Sequence, residues 1–173
     1  AKIRTIDKTT VEIDCTDVIC GASDYSLMRK LRGSYYLLGA ELGRYGRARV
    51  AYPGGCDFGV RPIDQHIKGF EALGGKVVTD GGYIEITTED GKLTPASIYF
   101  DLTTVGATLN IMLASVMTEG LTVIENAARE PHIVDCANFL NSCGAQISGA
   151  GSNVIKIKGV SELHGCTYAI IPD

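Results

Sequence analysis

Apolar residues follow a helical spacing in two stretches of the chain, and each stretch is followed by a short strand-like run. Residues 35–42 and 109–116 have the helical pattern, and residues 49–51 and 122–124 are the β-branched runs that follow them. The same local order therefore occurs twice, about 70 residues apart. The core candidates on the two predicted helices are Leu37, Leu38, Ile111 and Met112.

Each strand-like run is followed by a second helix and then by further strands. Pro62 and Pro131 are placed where the first turn of the second helix is expected, and both helices are expected to end at glycine, at positions 74 and 144. Hairpin patterns follow, formed by residues 76–79 with 83–87 and by residues 146–148 with 154–158. A last strand is expected to close each unit, at residues 97–100 and 167–171.

This order predicts an α/β (α+β) fold built from a repeated unit: helix, strand, helix, strand, strand, strand. We place the two units at residues 32–101 and 102–173, within a single domain that spans residues 1–173. Strand-like runs at residues 3–5 and 9–14 precede them. We interpret residues 1–31 as part of an earlier unit whose helices are missing, which gives about two and a half repeats.

The composition and charge of the chain argue against nucleic-acid, membrane and metal binding. The 173 residues carry a net charge of −4, so a non-specific nucleic-acid partner is not expected. No apolar run approaches the roughly 20 residues that span a bilayer, and the N-terminus resembles no targeting peptide, so we expect a cytoplasmic protein without a membrane partner. Six cysteines without C-x-x-C spacing predict no metal site.

The most unusual segment is a glycine-rich loop between a predicted strand and a predicted helix, Pro53-Gly54-Gly55-Cys56-Asp57-Phe58-Gly59-Val60-Arg61. Free N–H groups at a helix start attract anions, and Arg61 stands at that start. A cysteine in such surroundings is expected to be reactive, which makes Cys56 a candidate catalytic residue. The alternatives are a loop cysteine without a role and an ordinary surface arginine.

Each of the other candidate residues fits either a functional or a structural role. Arg32 precedes the first helix of one unit and Thr103-Thr104-Val105 that of the next, so both helix starts are expected to face one anion site. Arg32 also fits an exposed basic stretch. His66 fits either a catalytic role or a surface or supporting position. We interpret the five cysteines other than Cys56 as packing residues.

At these residues the chain resembles the UDP-N-acetylglucosamine enolpyruvyl transferases. The resemblance rests on the Cys56 loop, on Arg61-Pro62-Ile63-Asp64, on Val105-Gly106-Ala107-Thr108 and on residues 125–131, and it runs over nearly all of the chain. It implies an inside-out α/β barrel of EPSP synthase-like repeats. It further implies two such domains, with the substrates bound between them.

The resemblance implies transfer of the enolpyruvyl group of phosphoenolpyruvate to the 3-hydroxyl of UDP-N-acetylglucosamine, with release of phosphate and without a cofactor. Cys56 is then the general acid and the residue that fosfomycin alkylates, and Arg61 and Arg32 hold anionic groups. The stretches that contact the uridine nucleotide are Arg61, Pro62, Ile63, Asp64 and Gln65, followed by Thr103, Thr104 and Val105. Position 102 is a leucine where family members have a lysine.

The family's full chain is more than twice this length, and its catalytic aspartate belongs to the other domain. We therefore expect the missing second domain to be a partner of this chain, and the chain alone to have little activity. A UDP-sugar-binding module without catalysis is the alternative. A shikimate-phosphate enolpyruvyl transferase is a third possibility, and the Cys56 loop argues against it.

Overall fold

The computed structural model describes residues 1–21, 24–28, 30–52 and 62–172. Its elements in chain order are β1 (Lys2–Thr5), β2 (Val11–Asp14), α1 (Tyr25–Met28), α2 (Leu37–Tyr45), β3 (Arg47–Ala51), α3 (Asp64–Ala72), β4 (Gly75–Asp80), β5 (Tyr83–Thr88), β6 (Ser97–Tyr99), α4 (Val105–Ser115), β7 (Leu121–Glu125), α5 (Pro131–Ser142), β8 (Gln146–Ser148) and β9 (Val154–Lys158). Short 3₁₀ helices at Arg32–Tyr36 and Glu89–Gly91 complete the list.

The predicted order of helix, strand, helix and hairpin is confirmed in both halves of the chain. α2, β3, α3, β4 and β5 form one series, and α4, β7, α5, β8 and β9 form the other. Pro131 is the first residue of α5, as predicted. The prediction was wrong for Pro62, because α3 begins two residues later at Asp64. Gly74 and Gly144 follow the two helices with φ of +86° and +98°, a conformation that glycine adopts without steric cost.

The prediction of a closing strand holds for the first unit and is wrong for the second. β6 pairs in parallel with β7, the first strand of the following unit. Residues 167–171 form no strand. The pairing of β6 explains the difference, because a closing strand needs a neighbouring strand, and no strand among the described residues pairs with residues 167–171.

Helices form the interior, and α4 is the central one. Eight of its 11 residues are buried, and it contacts α2, α3 and α5. Gly39 of α2 donates its N–H to Asn110 Oδ1 of α4 at 2.8 Å, so the two helix backbones lie in contact. Of the predicted core residues, Leu38, Ile111 and Met112 are buried. Leu37 is 41% exposed, because it lies one residue from Leu38 and points away from α4.

Two sheets cover this helical interior, and each of them presents one face to it. The sheet orders are β3-β5-β4 and β6-β7-β9-β8, and strands β3, β7 and β9 alternate buried and exposed residues. This arrangement of helices inside and sheets outside agrees with the expected inside-out barrel. No helix in the described ranges has the length and apolar character needed to cross a membrane.

The N-terminal hairpin is confirmed as a pair of strands but stands apart from the core. β1 and β2 form an antiparallel ladder in which Ile3 faces Ile13 and Thr5 faces Val11. All eight residues of the two strands are exposed. Residues that follow the hairpin approach the end of α2 and the start of β3, since Tyr45 Oη donates to the Val18 carbonyl at 2.8 Å and Cys20 Sγ donates to the Arg47 carbonyl at 3.1 Å.

Candidate substrate-binding site

Two of the predicted site residues, Cys56 and Arg61, lie outside the described residues. The described chain stops at Tyr52, directly after β3, and resumes at Pro62, before α3. The Tyr52 N–H donates to the Gly82 carbonyl at 2.8 Å, which fixes the position of the last residue before the loop. The candidate site is therefore built from the residues that flank this loop and from those that face them.

The two stretches predicted to contact a nucleotide are joined by side-chain hydrogen bonds between Gln65 and Asp101. Gln65 lies in the first turn of α3, and Asp101 directly precedes the second stretch, residues 102–105. Gln65 Oε1 accepts the Asp101 N–H at 2.9 Å, and Gln65 Nε2 donates to Asp64 Oδ2 at 2.9 Å and, at 3.4 Å, to Asp101 Oδ2. These bonds join the first turn of α3 to the residue that directly precedes the second stretch.

Lys68, one turn further along α3, strengthens the same connection. Its ammonium lies 2.7 Å from Asp101 Oδ2, and this bond together with that of Gln65 holds the pKa of Asp101 below its usual range. Asp101 is exposed, so the ion pair contributes little to stability by itself. Its effect is to orient the loop that leads into α4.

The start of α4 is held by residues from the neighbouring loop. Thr103 Oγ1 donates to Asn126 Oδ1 at 2.9 Å, and Asn126 Nδ2 donates to the Phe100 carbonyl at 2.8 Å. Thr104 is the N-cap of α4, and among the described residues its side chain makes no capping bond. The N–H groups of a helix's first turn have no partner within the helix and can bind a ligand. An anionic or strongly polar group is the natural ligand for such a helix start.

His66 lies between the starts of two helices. Its ring stands 5.0 Å from the ring of Tyr35, in the 3₁₀ helix that Arg32 begins. On its other side, a Cβ added to Gly106 of α4 would lie 2.7 Å from Nε2. The predicted convergence of Arg32 and Thr103–Val105 on one end of the molecule is therefore seen in the structure, with His66 between them.

Burial controls the chemistry of this histidine. The pKa of His66 is lowered to about 4, mainly by burial; the Asp64 carboxylate opposes this shift and the positive charge of Arg32 adds to it. His66 is therefore neutral at pH 7, and it is buried rather than a surface residue. Within the part of the chain that the structure describes, its Nδ1 and the hydroxyl of Tyr35 are buried without a hydrogen-bond partner, and the charge of Arg32 acts on both groups.

Sequence reasoning missed Asp101, Lys68 and Asn126, which position the predicted residues. Asp101 and Asn126 each follow a strand, β6 and β7, but their contacts depend on how the two neighbouring units pack together. Asn126 also has a positive φ of 55°, which asparagine tolerates better than most residues. Nothing in the local pattern reports these contacts, since each joins residues more than 20 positions apart.

Comparison with known proteins shows the family to which the chain belongs. The chain belongs to the EPSP synthase (3-phosphoshikimate 1-carboxyvinyltransferase) family, whose model matches residues 3–173. A protein of Clostridium acetobutylicum named UDP-N-acetylglucosamine 1-carboxyvinyltransferase 2 is 59% identical over 172 residues, which are 99% of this chain and 40% of that protein. The protein of the same name in Bacillus subtilis is 56% identical over 93% of this chain and 37% of its own length.

Solved structures agree with the fold. The enolpyruvyl transferase NikO from Streptomyces tendae matches 82% of this chain and 33% of its own, with a TM-score of 0.65 and 26% identity. EPSP synthase from Acinetobacter baumannii matches 79% of this chain and 31% of its own, with a TM-score of 0.59; at 21% identity this likeness concerns the fold alone. The chain spans about 40% of the length of the curated relatives that it matches.

Proposed function

We propose that this chain supplies the nucleotide-sugar side of an active site that transfers the enolpyruvyl group of phosphoenolpyruvate to UDP-N-acetylglucosamine. The observation that carries the proposal is the identity of 52–59% to proteins named UDP-N-acetylglucosamine 1-carboxyvinyltransferase over 99% of this chain. The product of that reaction enters peptidoglycan synthesis, so the proposal places the protein in bacterial cell-wall formation, in the cytoplasm.

The described geometry supports a division of roles. The Gln65–Asp101 bonds join the first turn of α3 to the segment that leads into α4. This connection supports a shared role in binding the uridine diphosphate for Pro62, Ile63, Asp64 and Gln65 and for Thr103, Thr104 and Val105. Arg32 lies at the same end and supplies positive charge for a phosphate or carboxylate.

Cys56 and Arg61 are proposed to carry the chemistry. Cys56 delivers a proton to the methylene carbon of phosphoenolpyruvate, and Arg61 stabilises the negative charge of the phosphate that leaves. The reaction is an addition of the sugar 3-hydroxyl followed by elimination of phosphate, so no cofactor is required. Residues beyond this chain are proposed to complete the site, since the chain spans about 40% of the relatives' length.

A substitution of Cys56 tests its role in a longer protein that contains this chain and the remaining part of the active site. Cys56→Asp keeps an acidic proton and is expected to retain measurable phosphate release. Cys56→Ser offers a far weaker acid and is expected to lose at least about 100-fold, the usual scale of general acid catalysis. Equal rates in the two variants would contradict the general-acid role.

A UDP-sugar-binding module without catalysis is the second candidate, favoured by the same 40% coverage. Phosphate release on mixing the 173-residue chain with phosphoenolpyruvate and UDP-N-acetylglucosamine separates the two. We expect little release from the chain alone, and release on addition of a polypeptide that carries the rest of a relative. Binding of the nucleotide sugar without release under either condition would favour the module.

The acceptor is tested in the same assay with shikimate 3-phosphate. The family model is described by that substrate's transferase, whereas the proteins at 52–59% identity are named for UDP-N-acetylglucosamine. We expect no release with shikimate 3-phosphate and no competition with the nucleotide sugar. Release that depends on shikimate 3-phosphate would overturn the proposed acceptor.

A further inference from the structure

Two thiols lie close together where α5 ends. The final segment of the chain, from Leu163 onward, begins there to run back along the helix. Cys143 Sγ and Cys166 Sγ lie 3.4 Å apart, although 23 residues separate them in sequence. Cys143 is the C-cap of α5 and is buried, whereas Cys166 is exposed. The interpretation of Cys166 as a packing residue was therefore wrong, and so was that of the exposed Cys15.

Backbone and side-chain contacts on both sides of Cys166 hold this pair together. The His164 N–H donates to the Cys143 carbonyl at 2.8 Å, and Leu163 packs against the core. Beyond Cys166, Tyr168 Oη donates to Asp135 Oδ1 at 2.7 Å, and the Tyr168 ring meets Phe139 edge-on at 5.5 Å. The approach of the two thiols is thus fixed by the path of the segment along α5.

The first repeated unit contains the same backbone hydrogen bond to the C-cap of a helix, but without the two thiols. There the Thr94 N–H donates to the Leu73 carbonyl at 3.0 Å, and Leu73 is the C-cap of α3 as Cys143 is of α5. The position equivalent to Cys166 is Ala96, two residues after Thr94. One backbone arrangement therefore joins two apolar residues in the first unit and two cysteines in the second.

We propose that Cys143 and Cys166 form a reversible disulfide when the protein meets a low-molecular-weight disulfide. The exposed Cys166 thiolate attacks one sulfur of that disulfide, whose S–S bond breaks, and one small thiol leaves. Cys143 then attacks the Cys166 sulfur and releases the second small thiol. The protein loses two protons and two electrons, and one small disulfide is reduced to two thiols.

Accessibility sets the order of the two steps. Burial, and then the neighbouring Cys166, raise the pKa of the Cys143 thiol, so this buried group is a poor first nucleophile. Once Cys166 carries the mixed disulfide, Cys143 is already within contact distance of the sulfur that it must attack. Only a small side-chain movement is required to reach the bonded S–S distance of roughly 2 Å.

The bond would hold the final segment against α5. A cavity of about 380 Å³ lies between that segment and the helix, and Cys136, Phe139 and Tyr168 are among its lining residues. In the reduced protein the segment is held there by the hydrogen bonds and ring contact described above. In the oxidised protein a covalent link would close a loop of 23 residues and would remain when those contacts break.

Peptide mapping after incubation with oxidised glutathione tests the pairing. Cys136 lies on the same tryptic peptide as Cys143, residues 130–156, so Cys136→Ser is the matched background. We expect this peptide to be joined to residues 159–173, which contain Cys166, and the link to disappear with dithiothreitol. Retention of two separate peptides in the Cys136→Ser protein, or a link that is lost only when Cys136 is replaced, would overturn the proposal.

Thermal melting provides a second readout that does not depend on replacing the buried cysteine. We expect the oxidised protein to melt roughly 5–10 °C above the reduced one, because a loop of this length loses unfolded-state entropy. Cys166→Ser, an exposed change that should fold normally, is expected to melt as the reduced protein does in either condition. An equal gain on oxidation of Cys166→Ser would contradict the proposed link.

Discussion

At the scale of single residues, His66 connects three parts of the candidate site. It belongs to α3, its ring lies against Tyr35, and its Nε2 faces Gly106 at the start of α4. Gly106 has no side chain, and this leaves the space that the imidazole occupies. A neutral, buried histidine at this point positions the helix starts without adding charge beside Arg32.

The low pKa of His66 makes stability depend on pH in a known direction. In the unfolded chain a histidine titrates near 6.5, whereas in the folded protein the pKa of His66 is about 4. The unfolded state therefore binds more protons between these values. The contribution of His66 is fully present above about pH 6.5, and it falls by about 3 kcal/mol as the pH is lowered toward 4.

Urea unfolding at several pH values between 7.5 and 4 measures this contribution. We expect His66→Gln to flatten the dependence of the free energy of unfolding on pH relative to the unmodified chain. His132→Gln, at an exposed position of α5, is the matched control and should leave the slope unchanged. The same slope in the His66→Gln protein would show that His66 is not buried as described.

Asp101 is the residue that aligns the two predicted nucleotide-binding stretches. Asp101→Ala removes the carboxylate that accepts from Gln65 and Lys68 while leaving the backbone N–H bond to Gln65. If the proposed function holds, we expect roughly fivefold to tenfold weaker binding of UDP-N-acetylglucosamine, the scale of one or two hydrogen bonds. Calorimetric titration measures the affinity.

The control for this change is Asp80→Ala, which removes an exposed carboxylate at the end of β4. It should bind as the unmodified chain does. Loss of affinity in both variants would point to a general effect of charge, and no loss in Asp101→Ala would remove its positioning role.

At the scale of elements, the contact between α2 and α4 allows the least variation. A Cβ added to Gly39 would lie 2.9 Å from Asn110 Cα and closer still to the Asn110 carbonyl oxygen. These are backbone atoms of a buried helix, so they cannot move aside as a flexible side chain would. Glycine at this position therefore permits the close approach on which the helical interior is built.

Gly39→Ala is expected to destabilise the protein by at least about 2 kcal/mol, although alanine favours helix formation. Gly33→Ala is the control, since the nearest atom to an added Cβ there is 3.9 Å away. It should change the free energy of unfolding by less than about 0.5 kcal/mol. Chemical denaturation measures both, and equal stabilities would contradict the described packing of α2 on α4.

Helices and strands could be predicted where the residues that determine them are close together in the sequence. The hairpin β4–β5 was recognisable from Asp80-Gly81-Gly82, where both glycines have positive φ, and the ends of α3 and α5 from the glycines that follow. The failures concern partners that lie far away in sequence. Residues 167–171 have a strand-like pattern, but a strand forms only where a neighbour accepts its hydrogen bonds.

The sheet that contains β3 shows the same dependence on a neighbour. In the other sheet, the Val123 N–H of β7 donates to the Ala96 carbonyl at 2.9 Å, just before β6. The corresponding Arg49 N–H of β3 donates instead to the buried Glu41 carboxylate at 3.1 Å. A side chain of α2 thus satisfies a backbone group whose counterpart in β7 bonds to the Ala96 carbonyl, and the sequence pattern did not predict this difference.

At the scale of the whole molecule, the positions of the site residues followed partly from the repeat. Arg32 and Thr103–Val105 were predicted to share one end because equivalent helices of related units begin there, and the Tyr35–His66–Gly106 contacts agree. Asp101 and Asn126 were not predictable, since their roles depend on how one unit packs against the next. The roles of Cys56 and Arg61 remain predictions from the sequence.

The exposure of apolar side chains on the N-terminal hairpin depends on how the hairpin packs in the whole molecule. Ile3 and Ile13 are 70% and 58% exposed, whereas the corresponding hairpin β4–β5 buries Ile84 and Ile86 against helices. A hairpin with no layer behind it is only marginally stable. The interpretation of residues 1–31 as part of an earlier unit stays a prediction.

The most direct test of the account is the location of nucleotide-sugar binding on this chain. In a titration of the ¹⁵N-labelled protein with UDP-N-acetylglucosamine, we expect saturable shifts of the amides of residues 63–65 and 101–106 and of the 3₁₀ helix Arg32–Tyr36. Shikimate 3-phosphate should leave these amides unchanged. Shifts confined to another region, such as the cavity beside α5, or no saturable shift at all, would contradict the claim that these helix starts form the nucleotide-sugar site.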